Sequence, residues 1–77
     1  MSWKNLHFRP PVLQDGVIGG GRVSDLLLLR YEGIRETTYT GYVMVRKSDP
    51  RRYHICGKNN TEHRVVASEI EWMEVPE

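Results

Sequence analysis

The sequence holds a single cysteine, almost no net charge and no long apolar run, and each shortage excludes something. Cys56 stands alone, so no intrachain disulfide framework can staple the fold, and a lone thiol suits a reducing cytoplasm. The longest apolar run, Leu26-Leu27-Leu28-Leu29, is far short of the ~20 residues that span a bilayer. No basic stretch followed by an apolar core opens the sequence, so neither a secretion signal nor a membrane partner is expected. Lys plus Arg number 11 against 10 Asp plus Glu, a formal net charge of +1, which supplies no global attraction to nucleic acid. At 77 residues the chain is one small β domain, residues 1–77, with a single thin core and no room for a separate catalytic domain. A content of 39% hydrophobic and 27% charged residues suits a folded chain rather than a disordered one.

What is present reads as β structure. Trp3 to Phe8 alternates weakly and suits a short edge strand, ended by Pro10 and Pro11, which lack the N–H a ladder needs. From Val12 to Arg22 the chain carries Asp15-Gly16 and Gly19-Gly20-Gly21, a composition that predicts a long mobile loop rather than a regular element. Asp25 to Tyr31 is a short apolar run between turn signals and predicts a central strand. A helix there is excluded by length, since Gly21 and Gly33 leave barely three turns. Glu32-Gly33 then marks a hairpin. Thr37 to Arg46 is rich in Thr, Tyr and Val; its alternation sets Tyr39, Gly41, Val43 and Val45 on one face and Thr40, Tyr42, Met44 and Arg46 on the other. Ser48-Asp49-Pro50 predicts a turn, Arg51 to Cys56 a strand, residues 57–60 a second turn, and Glu62 to Ala67 a further strand. Ser68 to Glu71 matches a helix capping box, yet Ile70 and Trp72 alternate with glutamates and a short terminal helix is marginal, so a strand is expected there. The fold class is therefore all-β, an antiparallel meander of five or six strands curled toward a barrel, with Trp3 and Trp72 clamping the terminal strands.

Charge is unevenly spread. Arg46, Lys47, Arg51, Arg52, Lys58 and Arg64 face only Asp49 and Glu62 within their segment, while the tail holds Glu69, Glu71, Glu74 and Glu77 with no base. The bland expectation is that the two segments pair across neighbouring strands. The sharper one is a basic binding face: Arg46, Lys47, Arg51 and Arg52 flank one turn, and Tyr42 and Tyr53 interleave with them, as aromatics and bases do on sheets that hold single-stranded nucleic acid. Tyr39 belongs to the same pattern. Tyrosines that merely pack across a sheet are the commoner meaning.

Catalytic and metal chemistry has little to stand on. His54 and Cys56 lie two apart, and His7 and His63 are available, but the spacing matches no zinc site. Cys56 has no orienting base by spacing. Gly19-Gly20-Gly21-Arg22 lacks the Lys-Ser/Thr and the following helix of a phosphate loop. No catalytic residue, no metal and no cofactor is expected, and the chain reads as a non-enzyme.

The two ends carry a family resemblance. Trp3-Lys4-Asn5-Leu6, Pro11 before Asp15-Gly16, a Leu/Val-rich strand ending in tyrosine, and Ile70-Glu71-Trp72-Met73-Glu74-Val75-Pro76-Glu77 together resemble a small domain family of unknown function, frequent in phages and prophages. Its members start with a Trp-Ile-Ser-Val-like motif and end in Trp-Met-Pro-Leu-Pro-Glu. The chain departs from that pattern at Pro10-Pro11 with its glycine-rich insertion, and at Glu74 and Val75. The resemblance implies a phage- or prophage-encoded accessory protein in the cytoplasm of a bacterial host. The expected function is binding, and inhibition, of a host or defence protein, one that handles nucleic acid for instance, with an anti-CRISPR role within that class. The alternative is a small barrel that binds single-stranded nucleic acid.

Overall fold

The computed structural model describes residues 2–17, 20–57 and 61–76. Eight strands account for most of them: β1 (Lys4–Asn5), β2 (Gln14–Val17), β3 (Gly21–Val23), β4 (Leu27–Tyr31), β5 (Ile34–Arg46), β6 (Asp49–Gly57), β7 (Glu62–Val65) and β8 (Ile70–Glu74). One 3-10 turn, Ala67–Glu69, leads into β8. Every pairing is antiparallel, and the strands form one sheet curled into a half-barrel. The all-β antiparallel reading thus holds, and the tail is a strand.

Long β5 organises the sheet. Along one edge it pairs with β4 and then β3; along the other it pairs with β6, which in turn pairs with β7. β3 and β4 are in effect one strand interrupted at Ser24–Leu26. Ser24 is buried and bridges the break: its N–H donates to the Val43 carbonyl at 2.8 Å, and its hydroxyl accepts the Val43 N–H at 2.9 Å. A side-chain oxygen there stands in for the missing ladder partner, as buried amides require. On the outer side of β4 lies β8, and β1 pairs with β8 in turn. The chain ends therefore pair with each other at one side of the sheet, with β1 at its edge, rather than lying at opposite edges of a simple meander.

The glycine-rich segment corrects the sequence reading. Instead of an unstructured loop, Gln14–Val17 and Gly21–Val23 pair as a hairpin, with a register irregularity between Asp15 and Val17. Gly20, with φ of +85°, takes the left-handed backbone that a side chain disfavours and lets the chain reverse. Ile18 and Gly19 lie outside the described residues. Trp3–Phe8 is likewise more turn than strand. The Asn5 side chain accepts the His7 N–H at 2.9 Å, the Asn5 carbonyl accepts the Arg9 N–H at 2.8 Å, and the chain leaves the ladder after two residues. The second hairpin also shifts: Arg46 pairs with Asp49, so Lys47 and Ser48 make the turn and Asp49 and Pro50 already belong to β6. Pro50 is tolerated because the β5–β6 register is irregular between Met44 and Arg46 and β7 pairs only from Tyr53 onward.

The core lies on the concave face. Leu6, Leu27, Leu29, Val43, Ile70 and Trp72 form it, with Leu13, Tyr31, Tyr53, Ile55, Val65 and Ala67 packed around them. Trp72 is 6% exposed and sits between Lys4 on β1 and Leu29 on β4. Its indole N–H donates to the Arg9 carbonyl at 2.7 Å, and Lys4 Nζ lies 4.6 Å from its ring centroid. Trp3 plays a lesser part at the same edge, under Arg30 at 4.0 Å. Gly41, buried on the core face as the alternation implies, lies between Leu27 and Gly57. A Cβ there would stand 2.6 Å from the Cys56 carbonyl oxygen, so this position holds β5 and β6 at their close approach.

Two substitutions test this packing. Trp72→Ala removes the central core ring and an indole hydrogen bond, and is expected to cost about 3–5 kcal/mol in urea unfolding. Gly41→Ala pushes backbone against backbone and is expected to cost about 1–3 kcal/mol.

Candidate functional site: a basic recess beside the β7 edge

The two charged segments do not pair with each other. β8 lies between β1 and β4, so its glutamates meet the bases of those strands: Glu71 Oε1 lies 3.0 Å from Arg30 Nε, and Glu74 Oε2 lies 3.2 Å from Lys4 Nζ. The basic segment must find its counter-charges locally. Arg46 forms a two-pronged pair with Glu62, with Nε to Oε2 at 2.7 Å and a second contact from Nη2 to Oε1. The geometry is the bidentate fork that guanidinium favours. Glu62 Oε2 also lies 2.8 Å from His54 Nδ1, and His54 Nε2 lies 3.5 Å from Asp49 Oδ2. Arg46 is thus a structural link between β5 and β7 across β6, and not a free binding group.

The remaining bases divide between two recesses, rather than crowding one corner. Lys47 and Arg46 line a recess with Arg22, Asp15, Gly20 and Pro50, next to the β2–β3 hairpin. Arg51 and Arg52 line the other, about 460 Å³, with Arg64, His7, Tyr53 and the apolar Val65, Val66 and Ala67. No carboxylate lines this second recess. Arg52 Nε is 3.9 Å from Asp49 Oδ1, while Arg51 and Arg64 have no acidic partner among the described residues. Arg51, Arg52 and Arg64 are exposed, and Tyr53 is half-buried against the core.

The tyrosines separate as well. Tyr53 shares the concave face with Ile55, whereas Tyr42 is paired with Cys56 on the convex face. They cannot form one stacking platform. Tyr39, 49% exposed, lies instead over a third recess of about 300 Å³ with Tyr31, Leu29, Ile55 and His63. His54 and Cys56 share the convex face as their spacing implies; His63 is on the other face and His7 lies across the second recess. Among the described residues no three metal-ligating side chains converge. The Cys56 thiol lies 3.6 Å from the Gly57 carbonyl oxygen.

Arg64 and His7 are the members of the basic recess that the sequence did not single out. Arg64 was visible as one more base. Its place beside Arg51 depends on the β6–β7 register, Tyr53 opposite Val65 and His54 opposite Arg64, which no local pattern sets. His7 arrives from 58 residues before Val65 through the Asn5 turn, and no local pattern announces it.

No family model matches the chain, and comparison with curated proteins and with solved structures finds no match either.

The Arg46–Glu62 pair makes a pH prediction. Hydrogen bonding from Arg46 holds the Glu62 carboxyl below the ordinary glutamate range; burial opposes this, and attraction to Arg46 and His54 adds to it. A carboxyl whose value is lowered on folding stabilises the fold above its unfolded value of about 4.3, and that contribution is lost as pH falls through the folded value. The stability gap between the parent and Glu62→Gln, measured by urea unfolding, should therefore be widest at neutral pH and shrink below about pH 4. A gap of the same size at both pH values would mean that the ionised carboxylate is not what links the strands.

Proposed function

We propose that this chain is a non-enzymatic binding protein, of phage or prophage origin by its resemblance, that engages and inhibits a host or defence protein. The recess lined by Arg51, Arg52, Arg64, His7 and Tyr53 is the contact. One observation carries the reading: three arginines surround an apolar floor with no carboxylate among the lining residues, while Arg46, Arg30 and Lys4 are matched by Glu62, Glu71 and Glu74. Like charge with little to offset it around a partly apolar hollow is tolerated at a surface and relieved by an acidic partner. Arginine and tyrosine around such a hollow are also the side chains that dominate protein interfaces. The separation of Tyr42 from Tyr53 onto opposite faces favours a protein partner over a strand of stacked bases.

The test is a double charge reversal, Arg51→Glu with Arg52→Glu, in tagged protein expressed in a bacterial host. Both side chains are exposed, so far-UV circular dichroism should be unchanged, while host protein that co-purifies with the parent should be lost. Tight binding of random oligonucleotides with a steep salt slope would instead favour the nucleic-acid reading. Unchanged capture after both reversals would remove this recess from the function.

A further inference from the structure

We infer that the basic recess receives its partner as an added strand: an extended acidic segment pairs with the open edge of β7, its carboxylates on the Arg64 side and its apolar residues over Val65 and Tyr53. This rests on the binding role just proposed and specifies the form of the partner.

The backbone supplies the first argument. β7 pairs with β6 alone, and among the described residues no strand lies on its far side. The Gly57 N–H donates to the Thr61 carbonyl at 3.0 Å, which makes Gly57 and Thr61 a hydrogen-bonded pair at the start of this ladder. Antiparallel pairs alternate between bonded and non-bonded, so His63, opposite Ile55, and Val65, opposite Tyr53, bond inward to β6. The N–H and C=O groups of Glu62 and Arg64 then point to the open edge. That is the row of donors and acceptors which an extended segment completes in strand-addition recognition.

The side chains supply the second. Along β7 the even residues lie on the convex face and the odd ones on the concave face. An incoming strand therefore meets Arg64 on one face, where Glu62 is already held by Arg46 and His54, and Val65, beside Tyr53, on the other. Arg51 and Arg52 stand at the end of the same recess. This pattern asks for alternating acidic and apolar side chains.

The probe is a short peptide, blocked at both ends, that alternates glutamate with valine; its control has the same composition with the glutamates and valines in two blocks. Each is titrated into the isotope-labelled full chain at low salt, and amide hydrogen exchange is read residue by residue. The alternating peptide should bind and slow exchange at Glu62 and Arg64, whose amides face the open edge, with little change at His63 and Val65. Arg64→Glu and Arg51→Glu should each weaken it by roughly tenfold or more, with circular dichroism confirming that both variants fold. Binding without protection at Glu62 and Arg64, equal binding of the two peptides, or no binding by either would overturn strand addition. So would displacement of the peptide from this edge by a second copy of the chain. If partner capture is lost on charge reversal while those two amides stay unprotected, strand addition fails and the binding role stands. If capture is unchanged and the peptide does not bind, both fail.

Discussion

The insertion of β8 between β1 and β4 is the constraint on which the rest of this small sheet depends. A 77-residue chain has little apolar surface to bury, and here much of it is organised by one tryptophan. Trp72 fills the space between Lys4 and Leu29, bonds to the Arg9 carbonyl, and draws Ile70 and Leu6 into the same cluster. The Leu6 N–H donates to the Ile70 carbonyl at 2.9 Å, and the Asn5 side chain donates to the Ser68 carbonyl at 3.0 Å. Both chain ends are thereby tied to each other and, through β8, to β4, and the half-barrel keeps its concave core.

The same insertion decides where charge is left over. By lying beside β1 and β4, β8 spends its glutamates on Lys4 and Arg30. Glu62 is held by Arg46 and His54. β6 and β7, which do not pair with β8, then carry Arg51, Arg52 and Arg64 around an apolar hollow with little to neutralise them. A net charge near zero conceals this, because compensation is local: an exposed charge beyond about a Debye length, about 8 Å at physiological salt, is largely screened. Topology, more than composition, makes the basic recess.

Much of the fold was legible because its signals are local. The alternation of Tyr39, Gly41, Val43 and Val45 gave the long strand and its buried face, and the Leu26–Leu29 run gave β4 between two neighbours. The β2–β3 hairpin was missed because glycine composition argues against a strand, while Gly20 serves the turn and neighbouring Arg22 and Val23 pair with β5. The turn falls at Lys47-Ser48 and not at Ser48-Asp49-Pro50, which was expected because Asp49-Pro50 carries the stronger turn chemistry; the irregular β5–β6 register absorbs Pro50 inside a strand. Of the candidate site, Arg51, Arg52 and Tyr53 come together as expected. Arg46 was spent on Glu62, Lys47 fell to another recess, and Tyr42 faced the other side. Those outcomes depend on register across three strands, which no local pattern in the sequence encodes.

The central claim is that the β6–β7 flank, and not the chain as a whole, attracts an acidic partner. Titration of the isotope-labelled protein with polyglutamate at low salt, followed by two-dimensional NMR, tests it most directly. The account predicts shift changes confined to Arg51, Arg52, Tyr53 and Arg64 through Ala67, fading as salt is raised. Shifts spread evenly over Lys4, Arg22 and Arg30, or centred on Lys47 and the β2–β3 hairpin, would contradict it.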